Sequence, residues 1–210
     1  MDLFGAPPPS RQQSSPQPLA ERMRPTRLEE FVGQDHLLGS GKLLSGMLGS
    51  GKLRSLILWG PPGSGKTTLA QLIAKSAQAV CVNFSAVTSG VKDLKKIIHE
   101  AEQLQRLGKP TVLFIDEIHH FNKAQQDNLL PHVERGTLIL IGATTENPSF
   151  EVISPLLSRC QVLVLKALTP TDLATIVDRA LADRDRGLGK LNMQLSAEGR
   201  EFLIQQSQGD

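Results

Sequence analysis

Eight residues, Gly60-Pro61-Pro62-Gly63-Ser64-Gly65-Lys66-Thr67, set three glycines, a lysine and a hydroxyl at the spacing Gly, four residues, Gly-Lys-Thr. Glycines allow successive backbone N–H groups to point into one concavity, and with the N-terminus of a following helix they hold a polyphosphate. Lys66 adds a mobile positive charge for the β- and γ-phosphates of ATP, while the Thr67 hydroxyl takes one position on Mg²⁺. Pro61 and Pro62 stiffen the loop, and Thr68 is counted with the nucleotide contacts.

A second group lies about fifty residues on. The apolar run Thr111-Val112-Leu113-Phe114-Ile115 ends in Asp116 and Glu117. In an open α/β sheet the crevice beyond the carboxyl ends of the strands is where ligands bind, so an acid there stands beside the phosphate loop. Asp116 is assigned to Mg²⁺, directly or through water, and Glu117 is a candidate base or water-orienting group. His119 and His120 follow, but no third ligand with metal-site spacing accompanies them, and they read as structural or interface residues.

These side chains need a scaffold that presents strand ends side by side. Leu56-Ile57-Leu58-Trp59 has the character of a buried strand, and Thr67 to Ser76 reads as a helix with Leu69, Leu72 and Ile73 on one face. A strand over Val80–Phe84 follows, then a helix from Val91 to Leu107 whose Leu94, Ile97, Ile98, Ala101 and Leu104 form a core stripe, with Lys92, Lys95 and Lys96 as a basic cluster near its start. A helix opens near Phe121 and is capped by Gly136. Further strands cover Thr137–Ala143 and Gln161–Leu165. After Lys166 the pattern turns helical, with Thr169-Pro170 and Ser196-Ala197-Glu198 as starts. The fold class is therefore α/β, a nucleoside-triphosphatase with a mostly parallel sheet flanked by helices and the start of a small helical lid. Residues 1–18, rich in proline, form a tail; 19–166 form the core; 167–210 form part of the lid.

Composition narrows the partners. The 210 residues carry a net charge of +2, no Tyr and one Trp, so neither a globally basic surface nor a base-stacking platform is indicated. Cys81 and Cys160 have no partner spacing, which fits a reducing cytoplasm. No apolar run approaches the roughly 20 residues that span a bilayer, so no membrane association is expected.

Beyond these features, the chain resembles AAA+ ATPases related to clamp loaders over nearly its whole length from Leu19. The resemblance is carried by Pro18 to Pro25 and Val32-Gly33-Gln34 before the phosphate loop, by Ser85 to Lys92, by Phe121 to Asp127, by Gly142 to Phe150 and by Ser158-Arg159-Cys160. Among AAA+ proteins it is most similar to the replication-associated recombination protein A family, with the Werner helicase-interacting protein as eukaryotic relative.

The resemblance implies that Arg24, Pro25, Val32 and Gly33 lie near the adenine. It implies that Thr145, with Asn147 as the alternative, senses the γ-phosphate, and that Arg159 reaches a neighbouring subunit's γ-phosphate. It further implies DNA-stimulated ATP hydrolysis at stalled replication forks or DNA ends, self-assembly through a C-terminal helical domain beyond Asp210, and a second-sensor arginine just past the same point. A nucleoid-associated cytoplasmic protein is expected. Asp2-Leu3-Phe4-Gly5 resembles peptides that dock into the bacterial sliding clamp, which makes Leu3 and Phe4 candidate clamp contacts. Two alternatives stay open: a clamp-loader subunit or branch-migration motor, and an ATP-gated scaffold that binds DNA or partners with little turnover.

Overall fold

The computed structural model describes residues 17–39, 41–49, 53–85 and 91–207. Leu3 and Phe4, and residues 86–90 of the stretch from Ser85 to Lys92, lie outside the described residues. In chain order the elements are α1 (Leu19–Arg22), α2 (Asp35–Leu38), α3 (Leu43–Gly49), β1 (Leu56–Trp59), α4 (Lys66–Ser76), β2 (Val80–Ser85), α5 (Val91–Arg106), β3 (Thr111–Asp116), α6 (Lys123–Glu134), β4 (Ile139–Thr144), α7 (Pro148–Glu151), α8 (Ser154–Leu157), β5 (Gln161–Val164), α9 (Pro170–Ala182) and α10 (Ala197–Ser207).

The five strands form one parallel sheet in the order β2-β3-β4-β1-β5. β1 is an interior strand, and its partners are β4, with Leu56 opposite Ile141, and β5, with Leu56 opposite Gln161. Continuous apolar runs suit this position, because helices cover both faces of a parallel sheet. Alternation then divides the core. Leu56, Leu58, Val112 and Phe114 pack with Leu69, Ile73, Leu37 and Leu44 on one side. Ile57, Leu113 and Ile115 pack with Leu94, Ala101, Leu129 and Leu156 on the other.

Several boundaries differ from expectation by a residue or two, β2 ending at Ser85, α5 at Arg106, β4 at Thr144 and β5 at Val164, and at two of the ends the local reason is visible. β3 stops at Asp116 because Glu117 turns into the left-handed region at φ 49°, ahead of the 3₁₀ turn Ile118–His120. β4 begins at Ile139 rather than Thr137, since the Leu138 N–H is bonded to the His132 carbonyl, 3.2 Å away, as α6 ends. In β4, Gly142 admits the 3₁₀ turn: a Cβ there would meet Ile118 Cδ1 at 2.8 Å and Ile57 Cδ1 at 2.9 Å.

Helix starts follow the sequence. Asn122 and Gln125 form a reciprocal capping box on α6, and Thr169 and Asp172 form another on α9, where Pro170 occupies the first turn. α9 is tied back to the N-terminal segment, for Arg179 Nη1 donates to the Glu30 carbonyl at 2.5 Å. Beyond the helix, Arg186 pairs with the Glu30 carboxylate at 3.0 Å. Among the described residues no helix is long and apolar enough to cross a membrane.

Candidate nucleotide site

The phosphate loop runs from the end of β1 into α4. Gly65 stands at φ 90° as the residue before that helix, and a Cβ there would lie 2.7 Å from Phe31 Cζ, so both backbone and space call for glycine. The Ser64 hydroxyl, buried, donates to the Pro61 carbonyl at 2.8 Å and braces the turn. Lys66 is the first helical residue and is buried, its Nζ donating to the carbonyls of Gly60 and Pro61 at 2.9 Å each. Burial pushes its ammonium below the usual lysine range, while the charges of Glu117 and Asp116 act the other way.

Thr67 and Asp116, the two residues expected on the metal side, stand together. Thr67 Oγ1 donates to Asp116 Oδ2 at 3.1 Å, bringing the loop hydroxyl and the β3 acid together. The donor set, one hydroxyl and one carboxylate beside a phosphate cradle, fits Mg²⁺, which retains waters and requires few protein oxygens. Glu117 follows at once, its carboxylate Oε2 lying 3.2 Å from His119 Nδ1. The tip of β4 is joined to the loop by the Gly60 N–H, which donates to the Thr144 carbonyl at 3.2 Å, so Thr145 emerges beside the phosphate loop. Asn147 has another task, since its Oδ1 accepts the Ser149 N–H and caps α7.

A cavity of about 520 Å³ opens next to the loop. Arg24, Pro25, Phe31 and Val32 line one wall, Gly63, Ser64, Gly65 and Thr68 the floor, and Leu173, Ile176 and Ile204 of α9 and α10 the far wall. Gly33 is not part of the lining; at φ 73° it packs against Leu168 and Asp172. An apolar slot ending on backbone N–H groups is suited to a base and ribose with their phosphates on the loop.

Sequence reasoning missed three contributors. Gln34, buried at φ 63°, donates to the Lys166 carbonyl at 2.7 Å, accepts the Lys166 N–H at 2.9 Å and reaches the Ser64 carbonyl at 3.5 Å. It thus connects the loop to the chain leading into α9. Phe31 closes over Gly65. His119, set aside as structural, stands within bonding distance of Thr144 Oγ1, at 3.0 Å.

Arg159 is not brought to this site. It precedes β5, whose Gln161 aligns with the first residue of β1, whereas the phosphate loop leaves the last. A four-residue strand is ~13 Å long, so the two lie at opposite ends of the sheet. Here Arg159 is paired with Glu134 at 2.5 Å and donates to the Pro155 carbonyl at 2.7 Å.

The family model described as ATPase family associated with various cellular activities (AAA) matches residues 56–168, from β1 to the residue after the β5 connection. The chain belongs to the AAA family of ATPases. AAA membership accounts for the phosphate loop after β1 and the acid pair at the end of β3. Among AAA relatives, it is 55% identical over 193 residues to the replication-associated recombination protein A of Coxiella burnetii, covering 92% of this chain and 43% of that protein. It is 52% identical over 164 residues to the ATPase WRNIP1 of Dictyostelium discoideum, covering 78% of this chain and 19% of that one. A solved structure, the Thermotoga maritima RuvB Holliday junction branch migration motor, matches with a TM-score of 0.71 and 32% identity over 90% of this chain and 61% of its own. The chain thus spans less than half the length of the curated relatives named.

Proposed function

We propose that the chain is the ATP-hydrolysing core of an enzyme that acts on DNA during replication and recombination, at stalled forks or DNA ends, with hydrolysis stimulated by DNA. The observation that carries the ATPase half is the convergence of Thr67, Asp116 and Glu117 on the phosphate loop. The DNA half rests on the likeness to replication-associated recombination protein A.

In this reading the loop N–H groups and Lys66 hold the polyphosphate, and the cavity walled by Arg24, Pro25 and Val32 takes the adenine. Lys66 must exchange its two carbonyl partners for phosphate oxygens as ATP enters. Thr67 and Asp116 would hold Mg²⁺, which when bound would supply positive charge against the phosphates. Glu117 orients the attacking water and accepts its proton, and Thr145 contacts the γ-phosphate from the β4 side. Arg159, exposed at the far end of the sheet, acts on the nucleotide of an adjacent copy, which makes self-assembly part of the activity. α9 and α10, in residues 167–210, are the start of a lid over the base. Such an enzyme works on the nucleoid of the cytoplasm, with Leu3 and Phe4 as its contact to the sliding clamp; Leu3→Ala with Phe4→Ala then loses clamp pull-down and keeps ATPase.

The similarity to the Thermotoga maritima motor favours branch migration as the second reading. One assay separates the readings: ATP hydrolysis measured with single-stranded, blunt, forked and four-way junction DNA. Stimulation by forks and ends is expected. Stimulation confined to junctions favours the motor, and ATP binding without turnover on any DNA leaves a scaffold.

A further inference from the structure

Glu117 presents an unusual combination. Its backbone is left-handed at φ 49°, a conformation that costs a non-glycine residue energy and persists where the surroundings impose it. Its Oε2 is buried and has no hydrogen-bond partner among the described residues. A buried carboxylate oxygen without a donor is uncommon and points to a functional cause. His119 Nδ1 stands 3.2 Å away, and the same nitrogen lies 3.0 Å from Thr144 Oγ1.

Thr144 is fully buried at the last position of β4, and its Oγ1 also accepts the Glu146 N–H at 3.0 Å, fixing the turn that contains Thr145. The other ring nitrogen of His119 faces Glu146 Oε1 at 3.9 Å, too long for a hydrogen bond. The Thr144 hydroxyl donates to the Glu146 carbonyl at 3.4 Å, which leaves its oxygen to accept, so with the hydrogen on Nδ1 a single His119 N–H lies within reach of both the Glu117 carboxylate and the strand tip beside the phosphate loop.

Resting on the ATPase reading above, we propose that His119 is a positioning residue for Glu117: its Nδ1 N–H swings between Thr144 and the carboxylate, so that movement of the β4 tip sets the aim of the base. A contact at Thr145 that shifts Thr144 by a fraction of an ångström releases the N–H to Glu117 Oε2, which anchors one carboxylate oxygen and leaves the other for water. The imidazole ring is largely buried and lies with its centroid 4.2 Å from that of His120.

The discriminating substitutions are His119→Asn and His119→Gln, in the whole protein with saturating ATP, Mg²⁺ and forked DNA. An asparagine amide places its N–H donor near the Nδ1 position, whereas glutamine matches histidine better in volume but puts the donor near Nε2. We expect His119→Ala and His119→Gln to lower kcat by about 10- to 100-fold, as for a base whose geometry is lost, with ATP affinity within about twofold of wild type. His119→Asn should retain most of kcat. In a Glu117→Gln background, His119→Ala should leave the residual single-turnover rate unchanged.

Equal rates in all variants, glutamine outperforming asparagine, or loss of ATP affinity in step with rate would overturn the proposal. Wild-type protein that binds ATP and never hydrolyses it would instead overturn the ATPase reading, and this inference with it. If the alanine variant fails to fold, the asparagine and glutamine pair still decides.

Discussion

Thr67 Oγ1 donates a hydrogen bond to Asp116 Oδ2 at 3.1 Å, although 49 residues separate them in the chain. The contact exists because α4 begins at the end of β1 while β3 ends two strands away in the same parallel sheet, with β4 between them. Asp116→Asn keeps an oxygen for that hydrogen bond and removes the charge. Hydrolysis at limiting Mg²⁺ should fall by about a hundredfold or more, in keeping with the several kcal/mol a metal contributes to such a step. The check is the rate as a function of Mg²⁺, whose midpoint should move to higher concentration while metal-free nucleotide binding holds.

Gln34 couples the site to the helices beyond it. Gln34→Ala leaves the Lys166 N–H and carbonyl without their partner, which should cost about 1–3 kcal/mol. The expected result is a lower Tm together with weaker ATP binding, because the wall formed by Leu173 and Ile176 loses its anchor. Thermal unfolding with and without ATP reads both, and a variant whose Tm gain on ATP addition equals that of wild type would show that the bridge does not reach the nucleotide.

Arg159 should act only between copies. Arg159→Ala is expected to slow hydrolysis by about 10³-fold or more, the scale for a finger arginine, and to leave ATP affinity nearly intact. Mixing inactive Arg159→Ala with inactive Glu117→Gln should then restore turnover, since each copy supplies what its neighbour lacks. Mixtures no faster than the separate variants would contradict a trans role.

Much of this site was legible before folding because its signals are local. The glycine spacing around Lys66 and the acids ending an apolar strand each report a backbone geometry that their own few residues impose. The Asn122 and Thr169 caps were readable in part for the same reason, one at an expected helix start and one at its capping threonine. Gln34 was not legible, for its partner Lys166 is 132 residues away and nothing near Gln34 announces it. His119 read as structural because a metal site was the chemistry tested, and a histidine serving a carboxylate and a threonine leaves no spacing pattern. The left-handed Glu117 ended β3 one residue early, a turn that glutamate itself does not favour and that the packing of Ile118 beneath Gly142 accompanies. Arg159 was recognised by its neighbours in sequence, but its distance from the loop follows from the β1–β5 register alone.

The division of labour between Lys66 and Glu117 carries the whole account, and one paired measurement tests it: ATP affinity and single-turnover hydrolysis for Lys66→Ala and Glu117→Gln side by side. Lys66 holds ground-state charge, so its loss should weaken ATP binding by about tenfold or more. Glu117 orients water, so Glu117→Gln should bind ATP within about threefold of wild type and hydrolyse it about 10²- to 10⁴-fold more slowly. Equal loss of binding in the two variants, or wild-type hydrolysis by Glu117→Gln, would contradict the assignment.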